Sequence, residues 1–250
     1  MIIVILAHSQ VPWKLFEFVS FIIVVFPFLS GYLHNSKSLR ELFKKRLPLL
    51  SSYYYIGAIN YLIWGFFVGK EFKKVENLTY LWNFLLVNTD KLDSIPLNIV
   101  PLWYLVFLFF AEMLYYTSRK LKITIPVIMF GIISRFYFPG SLPFKLDVAF
   151  AGIYMFELGR VFNQKRIEIK NYLGLTTLSI WIFVALLNGG TSWNFDEYGK
   201  NAVISIFGEI ACALSIVWIA QFVEKKDKLK SVFGKIFKRI SDDAIFILGY

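Results

Sequence analysis

Two imidazoles, one cationic step and a few isolated carboxylates are the groups here that can do chemistry. His8 follows the apolar run 2–7 directly and precedes Ser9 and Gln10. An imidazole exchanges protons near neutral pH, which suits a general base or a transient acyl carrier; a helix-end histidine can equally do no more than bond a neighbouring backbone group. His34 lies past an apolar run, beside Asn35 and Ser36, and is expected to decorate an interface. Lys44, Lys45 and Arg46 stand just before Pro48. A guanidinium placed there can grip an anion bidentately, and the same cluster can serve only to hold a loop on one side of a membrane. Glu157 and Arg160 have the spacing of an ion pair along one helix face. Asp147 and Glu112 show no obvious local partner, and Glu209 stands alone between Gly208 and Ile210. No paired histidines, CxxC, P-loop, GxGxxG or GxSxG occurs, so no metal, redox or ATP-driven chemistry is expected.

Composition sets the surroundings of these groups. Of 250 residues, 57% belong to the apolar set, 19% are aromatic and only 18% are charged; mean hydropathy is +0.59. A soluble domain carries about 25% charged residues, and a water-soluble core of this size cannot hide so much Phe, Ile and Leu. A disordered chain, a secreted disulfide scaffold and a free nucleic-acid-binding domain are excluded. The net charge of +10, from 27 Lys and Arg against 17 Asp and Glu, therefore points to membrane orientation rather than nucleic acid. The single Cys212 has no internal disulfide partner. The expected fold class is all-α, a polytopic integral membrane helical bundle forming one domain over residues 1–250. Polar residues at membrane depth cost about 2.5–3.5 kcal/mol each on insertion scales, so those retained face an interior.

A span needs about 20 mainly apolar residues. Runs between charges fall at 1–7, 18–33, 47–69, 94–111 (continued past Glu112 to 116), 123–134, 147–162, 171–187, 201–223 and 244–250. They predict about eight spans, the first and last truncated, in a fragment of a longer protein. Cations alternate between the connections. Lys37, Arg40, Lys44, Lys45 and Arg46 precede the third span; Arg119, Lys120 and Lys122 follow the fourth; Lys165, Arg166 and Lys170 follow the sixth. After the eighth come Lys225, Lys226, Lys228, Lys230, Lys235, Lys238 and Arg239. The alternate connections hold few cations or balance them with Glu71, Glu76, Asp90, Asp93, Asp196 and Glu197. Cation-rich short loops stay cytoplasmic, which fixes the expected orientation. Residues 75–87 read as an interfacial stretch, and 224–240 as a basic amphipathic helix on the anionic inner leaflet.

In order along the chain, several of these segments resemble the membrane-bound acyltransferase family 3, most closely its fucose 4-O-acetylase-like branch. The apolar run ending in His8-Ser9 is similar to the family's opening helix. The stretch Phe26-Pro27-Phe28-Leu29-Ser30-Gly31-Tyr32-Leu33 resembles its aromatic helix ending in Phe-x-Ser-Gly. Phe43-Lys44-Lys45-Arg46-Leu47-Pro48 stands at its Arg-rich helix start, and Pro101-Leu102-Trp103-Tyr104-Leu105 at its Pro-Leu-Trp-Phe-Leu segment. Leu142-Pro143 through Leu146-Asp147, with Phe156 and Gly159, resembles a later helix. Two features depart from the pattern: an Arg the family places upstream of its His has no counterpart, and Leu49 occupies the place of a second Arg.

The resemblance implies transfer of an acyl group, usually acetyl from acetyl-CoA, to a hydroxyl of a cell-surface polysaccharide or lipid-linked glycan. It makes His8 the catalytic base or acyl carrier. It gives Arg46, with Lys45 and Lys44, the donor's phosphates, and gives Ser30, Gly31, Trp103 and Asp147 the shaping of the site or acceptor pocket. We add Glu112 to the site-shaping group. Acetyl-CoA is thus a donor substrate, no cofactor is bound, and the partners are the lipid bilayer, acyl-CoA and an envelope carbohydrate, with no nucleic acid. The expected location is a bacterial plasma (inner) membrane, crossed several times. A rival reading is a transporter or flippase for lipid-linked sugars, with Glu112, Asp147, Glu157 and Glu209 along its path. A scaffold without chemistry is the third.

Overall fold

The computed structural model describes residues 13–34, 38–67, 81–88, 102–137 and 142–226. His8, the terminal runs 1–7 and 244–250, residues 94–101 and the amphipathic segment beyond residue 226 lie outside the described residues. Among the described residues the structure is helical, with isolated bridges but no strand.

The helices are α1 (Trp13–Ser20), α2 (Val25–Tyr32), α3 (Leu39–Phe67), α4 (Trp103–Lys120), α5 (Thr124–Tyr137), α6 (Leu146–Lys165), α7 (Asn171–Asn188) and α8 (Ala202–Glu224). Helices α5 to α8 end close to where charge positions place them. Helix α3 corrects the expectation. It begins at Leu39, so Lys44, Lys45 and Arg46 are helical rather than in a connection. The reason is local: Ser38 caps the start, accepting the Glu41 N–H at 3.1 Å, and cationic side chains are good helix formers. Pro48 sits inside this helix, beyond the cationic turn.

Helices α7 and α8 are both long and apolar enough to cross a membrane; residues 16–32 and α5 are apolar but shorter. On α5 and α8 large apolar side chains are exposed while small and polar residues are among those buried. On α5 the exposed residues are Ile125, Met129, Phe130, Ile133 and Phe136, whereas Gly131, Ser134 and Arg135 are buried. Helix α8 exposes Val203, Ile204 and Phe207 and buries Ser205, Gly208, Glu209, Cys212 and Ser215.

Contacts divide the chain into two compact units. The first comprises residues 1–26, 162–191 and 198–250. Its centre is the α7–α8 pair. Gly174 seats the Trp218 ring, and Gly208 faces Val184 and Phe21 with no room for a Cβ. Asn188, buried at the end of α7, donates to the Tyr198 carbonyl at 3.2 Å and to Ser205 Oγ at 2.9 Å. It also accepts the Asn201 N–H at 2.8 Å, while Asn201 caps α8 through the Val203 and Ile204 amides.

The second unit comprises residues 27–161 and 192–197. Here α6 is the spine. Gly159 lies against the backbone of Phe28 and Tyr32 on α2, and Gly31 answers it against the backbone of Phe156. Gly131 of α5 meets the backbone at Phe150, and Gly152 receives the rings of Phe107 and Trp193. Small residues at the crossings let backbones touch and gain dispersion contacts.

Candidate functional site

Within the second unit the candidate side chains fall at two levels, one at the starts of α4 and α6 and one from their middles onward. Glu112 and Trp103 are separated by about 13 Å along α4, and Glu157 and Asp147 by about 15 Å along α6. The residues singled out by sequence therefore fall into two groups.

The first group gathers on Glu112, whose side chain is 2% exposed. Arg46 reaches it from α3 with two nitrogens: Nε pairs with Oε2, and Nη2 donates to Oε1 at 3.1 Å. This side-on fork holds the guanidinium plane and does not use Nη1. His34, just beyond α2, brings Nδ1 to 3.5 Å from the same Oε1. That is an ion-pair distance rather than a hydrogen bond. The imidazole is walled by the rings of Tyr115 and Tyr116, centroids 6.0 and 5.9 Å away. His34, expected to decorate an interface, has its side chain 11% exposed and lies over a buried carboxylate.

One helical turn beyond Glu112, the Tyr115 hydroxyl donates to Glu157 Oε2 at 2.8 Å. Arg160 Nε donates to the same oxygen at 3.0 Å, and its Nη2 pairs with Oε1. Arg119 Nη1 adds a third contact at 3.3 Å. The Glu157–Arg160 pair expected from spacing is present, with a second guanidinium on the same carboxylate. Arg119, assigned by sequence to an orienting loop, lies in the last turn of α4. Lys44 and Lys45 are exposed on α3 near Arg46, and Ser30 is half-buried on α2. Gly31 is consumed by the helix crossing described above.

The second group sits at the opposite end. Asp147 is buried and serves the backbone, accepting the Leu142 N–H at 3.2 Å and the Val148 N–H at 2.8 Å. It closes the turn that starts α6. Beside it Phe144 and Lys145 both adopt left-handed backbone, φ +63° and +55°. Lys145, 1% exposed, donates Nζ to the Asn194 carbonyl at 2.7 Å. Arg135 donates to the Ala151 carbonyl at 3.2 Å and stacks over Trp193 and Tyr154, 5.1 and 5.3 Å from their centroids. Trp103 is buried against Tyr104 and Phe107. This end holds two buried cations over one aromatic turn, Trp193–Phe195.

The structure thus unites Arg46 with Glu112 and leaves Trp103 and Asp147 at the far end. His8 lies outside the described residues. Sequence reasoning missed Tyr115, whose signal is the one-turn spacing from Glu112, and the pairing of Lys145 with the 193–195 turn, for which no local signal exists. Among the described residues no group of histidine, cysteine and carboxylate side chains could hold a metal ion. Compared with models of protein families, with characterised proteins and with solved structures, the chain matches none.

Proposed function

We propose that the protein is a membrane-embedded O-acyltransferase that moves an acetyl or other acyl group from acyl-CoA to a hydroxyl of a cell-surface polysaccharide or lipid-linked glycan. In this reading the helices cross a bacterial plasma membrane several times, with the Arg46–Glu112 end toward the cytoplasm. The outward apolar faces of α5, α7 and α8 meet lipid. The two charged ends of the second unit match the alternation of cation-rich and cation-poor connections.

The observation that carries the proposal is the Arg46 guanidinium held side-on by a buried carboxylate at the cation-rich end. Its orientation is fixed before any ligand arrives, and Nη1 remains for a phosphate oxygen of the donor. Lys44 and Lys45 raise the local positive potential. His8 then takes the proton of the attacking hydroxyl as its oxygen bonds to the thioester carbonyl carbon; the carbon–sulfur bond breaks, and the CoA thiolate recovers that proton. The alternative in which His8 carries the acyl group transiently uses the same balance in two transfers.

The test is acyl transfer from labelled acetyl-CoA to envelope glycans by the protein in membranes. Transfer that is lost in His8→Ala, at normal expression, is the expected result. Absence of transfer in the parent together with sugar-lipid translocation insensitive to His8→Ala makes the protein a carrier instead.

A further inference from the structure

His34 and Arg46 converge on one oxygen. Glu112 Oε1 accepts Arg46 Nη2 at 3.1 Å and lies 3.5 Å from His34 Nδ1. That nitrogen is buried and makes no hydrogen bond, while the rings of Tyr115 and Tyr116 stand against the imidazole. A neutral imidazole placed so leaves a buried polar atom unpaired, at a cost. An imidazolium turns the same approach into an ion pair with the carboxylate. Among the described residues nothing bonds the other ring nitrogen, Nε2. Arg46 is a quarter exposed, and its Nη1 stays outside the fork with Glu112.

The groups that face His34 are Glu112, Tyr115 and Tyr116 on α4 and, through the shared oxygen, Arg46 on α3. Guanidiniums and phenols keep their charge between about pH 5.5 and 8, whereas an imidazole changes its own there. With Arg46 and Glu112 cancelling, the state of the imidazole decides whether this site is neutral or carries one positive charge. Since both cationic groups meet Oε1, Nη2 and Nδ1 lie within about 7 Å of each other, inside the screening length of about 8 Å at physiological salt. A charge on the imidazole is therefore felt by an anion seated on Arg46. We infer that His34 is the titrating member of the Arg46 site, and that a phosphate group of a soluble ligand enters on Arg46 together with a proton on His34. The acyl-CoA reading above supplies the ligand's identity; the site itself rests on the shared carboxylate oxygen.

The test is calorimetric binding of coenzyme A, and in parallel of inorganic pyrophosphate, to the full chain in phosphatidylcholine nanodiscs at about pH 5.5 and 8. Affinity is expected to fall about tenfold on going to the higher pH, with protons taken up on binding, because the coupling between anion and proton is reciprocal. The ligand's own titration works the other way, since a phosphate monoester gains negative charge through about pH 6. His34→Gln puts an amide near the place of Nε2 and His34→Asn one near Nδ1, and neither titrates. Both are expected to bind no tighter at the lower pH than at the higher; either reports if the other does not fold. Arg46→Gln should lose binding at both. Affinity that is flat or rises with pH, binding without proton uptake, or a pH dependence that survives in the His34 variants overturns the inference; in the last case another group, such as Glu112, takes the proton. The same holds if pH-dependent binding survives Arg46→Gln. If neither soluble probe binds, while phosphatidylglycerol in the nanodisc raises the melting temperature at the lower pH only when His34 is present, the site takes a lipid headgroup and the soluble ligand is wrong. Pyrophosphate with the expected pattern but no binding of coenzyme A sinks the acyl-CoA reading and leaves the site standing. Coenzyme A binding and acyl transfer untouched by pH and by both His34 variants does the reverse.

Discussion

Arg46 and Glu112, 66 positions apart in the chain, meet in a side-on fork that places a guanidinium against a carboxylate almost wholly withdrawn from solvent. Among the described residues the pair's other close ionic neighbour is His34. Removing one member leaves the other charge stranded in the protein interior, where desolvation exceeds what a lone contact returns.

Glu112→Leu should therefore destabilise the protein by about 3 kcal/mol, the low end of the range for a broken buried pair because Arg46 is a quarter exposed. Arg46→Met on its own strands the carboxylate and should cost a similar amount. The double change Arg46→Met with Glu112→Leu should be milder than the sum of the two, since both charges go together. Thermal unfolding in detergent measures all three. Strict additivity would mean that the fork contributes nothing and that Arg46 is oriented by something else.

The crossing of α2 over α6 gives a second prediction. A Cβ at Gly159 would overlap the Phe28 carbonyl and the Tyr32 amide, both backbone atoms that cannot rotate aside. Gly159→Ala should force the helices apart and cost about 2 kcal/mol or more. It should also loosen the nearby Glu157 cluster. A crosslink between cysteines placed on α2 and α6 reports the separation. A Gly159→Ala protein as stable and as readily crosslinked as the parent would contradict the close crossing.

These relationships differ in how far the sequence announced them. Gly159 stands out within its own helix as a small residue among apolar neighbours. The Glu157–Arg160 pair was legible for the same reason, being local to a single turn. The helix ends of α5 to α8 follow from the hydropathic runs that charges interrupt. The partner of Glu112 was not legible: it comes from another helix, and nothing in the residues around Glu112 encodes Arg46. His34 was misread on similar grounds, since its neighbours Asn35 and Ser36 describe a polar connection and say nothing of the carboxylate beneath it. The start of α3 was misplaced because cations mark a span boundary for the membrane but propagate a helix perfectly well. Trp103 and Asp147, expected to shape the site, lie at the far end from Arg46, one packed among aromatic rings and the other bonded into a turn.

The turn at Phe144 and Lys145 yields the last prediction. Two consecutive non-glycine residues with positive φ cost of order 1–3 kcal/mol each, and such a conformation persists only where surrounding contacts outweigh it. Here the Phe144 N–H donates to the Leu86 carbonyl at 2.6 Å, and its ring lies 5.6 Å from Phe110. Lys145 supplies the other restraint, through its 2.7 Å bond to the Asn194 carbonyl. Lys145→Met keeps the side-chain volume and removes that bond, leaving a buried carbonyl without its cationic donor, at about 1–3 kcal/mol. Because the strain is then less well opposed, the effect should be local: amides of the 192–197 turn should exchange hydrogen faster while those of α7 remain protected. Phe144→Gly in the Lys145→Met background should restore part of the stability, since glycine adopts the left-handed backbone at little cost. If the turn exchanges no faster in Lys145→Met, the lysine is not what pins it, and the strained pair must be held by the Leu86 and Phe110 contacts alone.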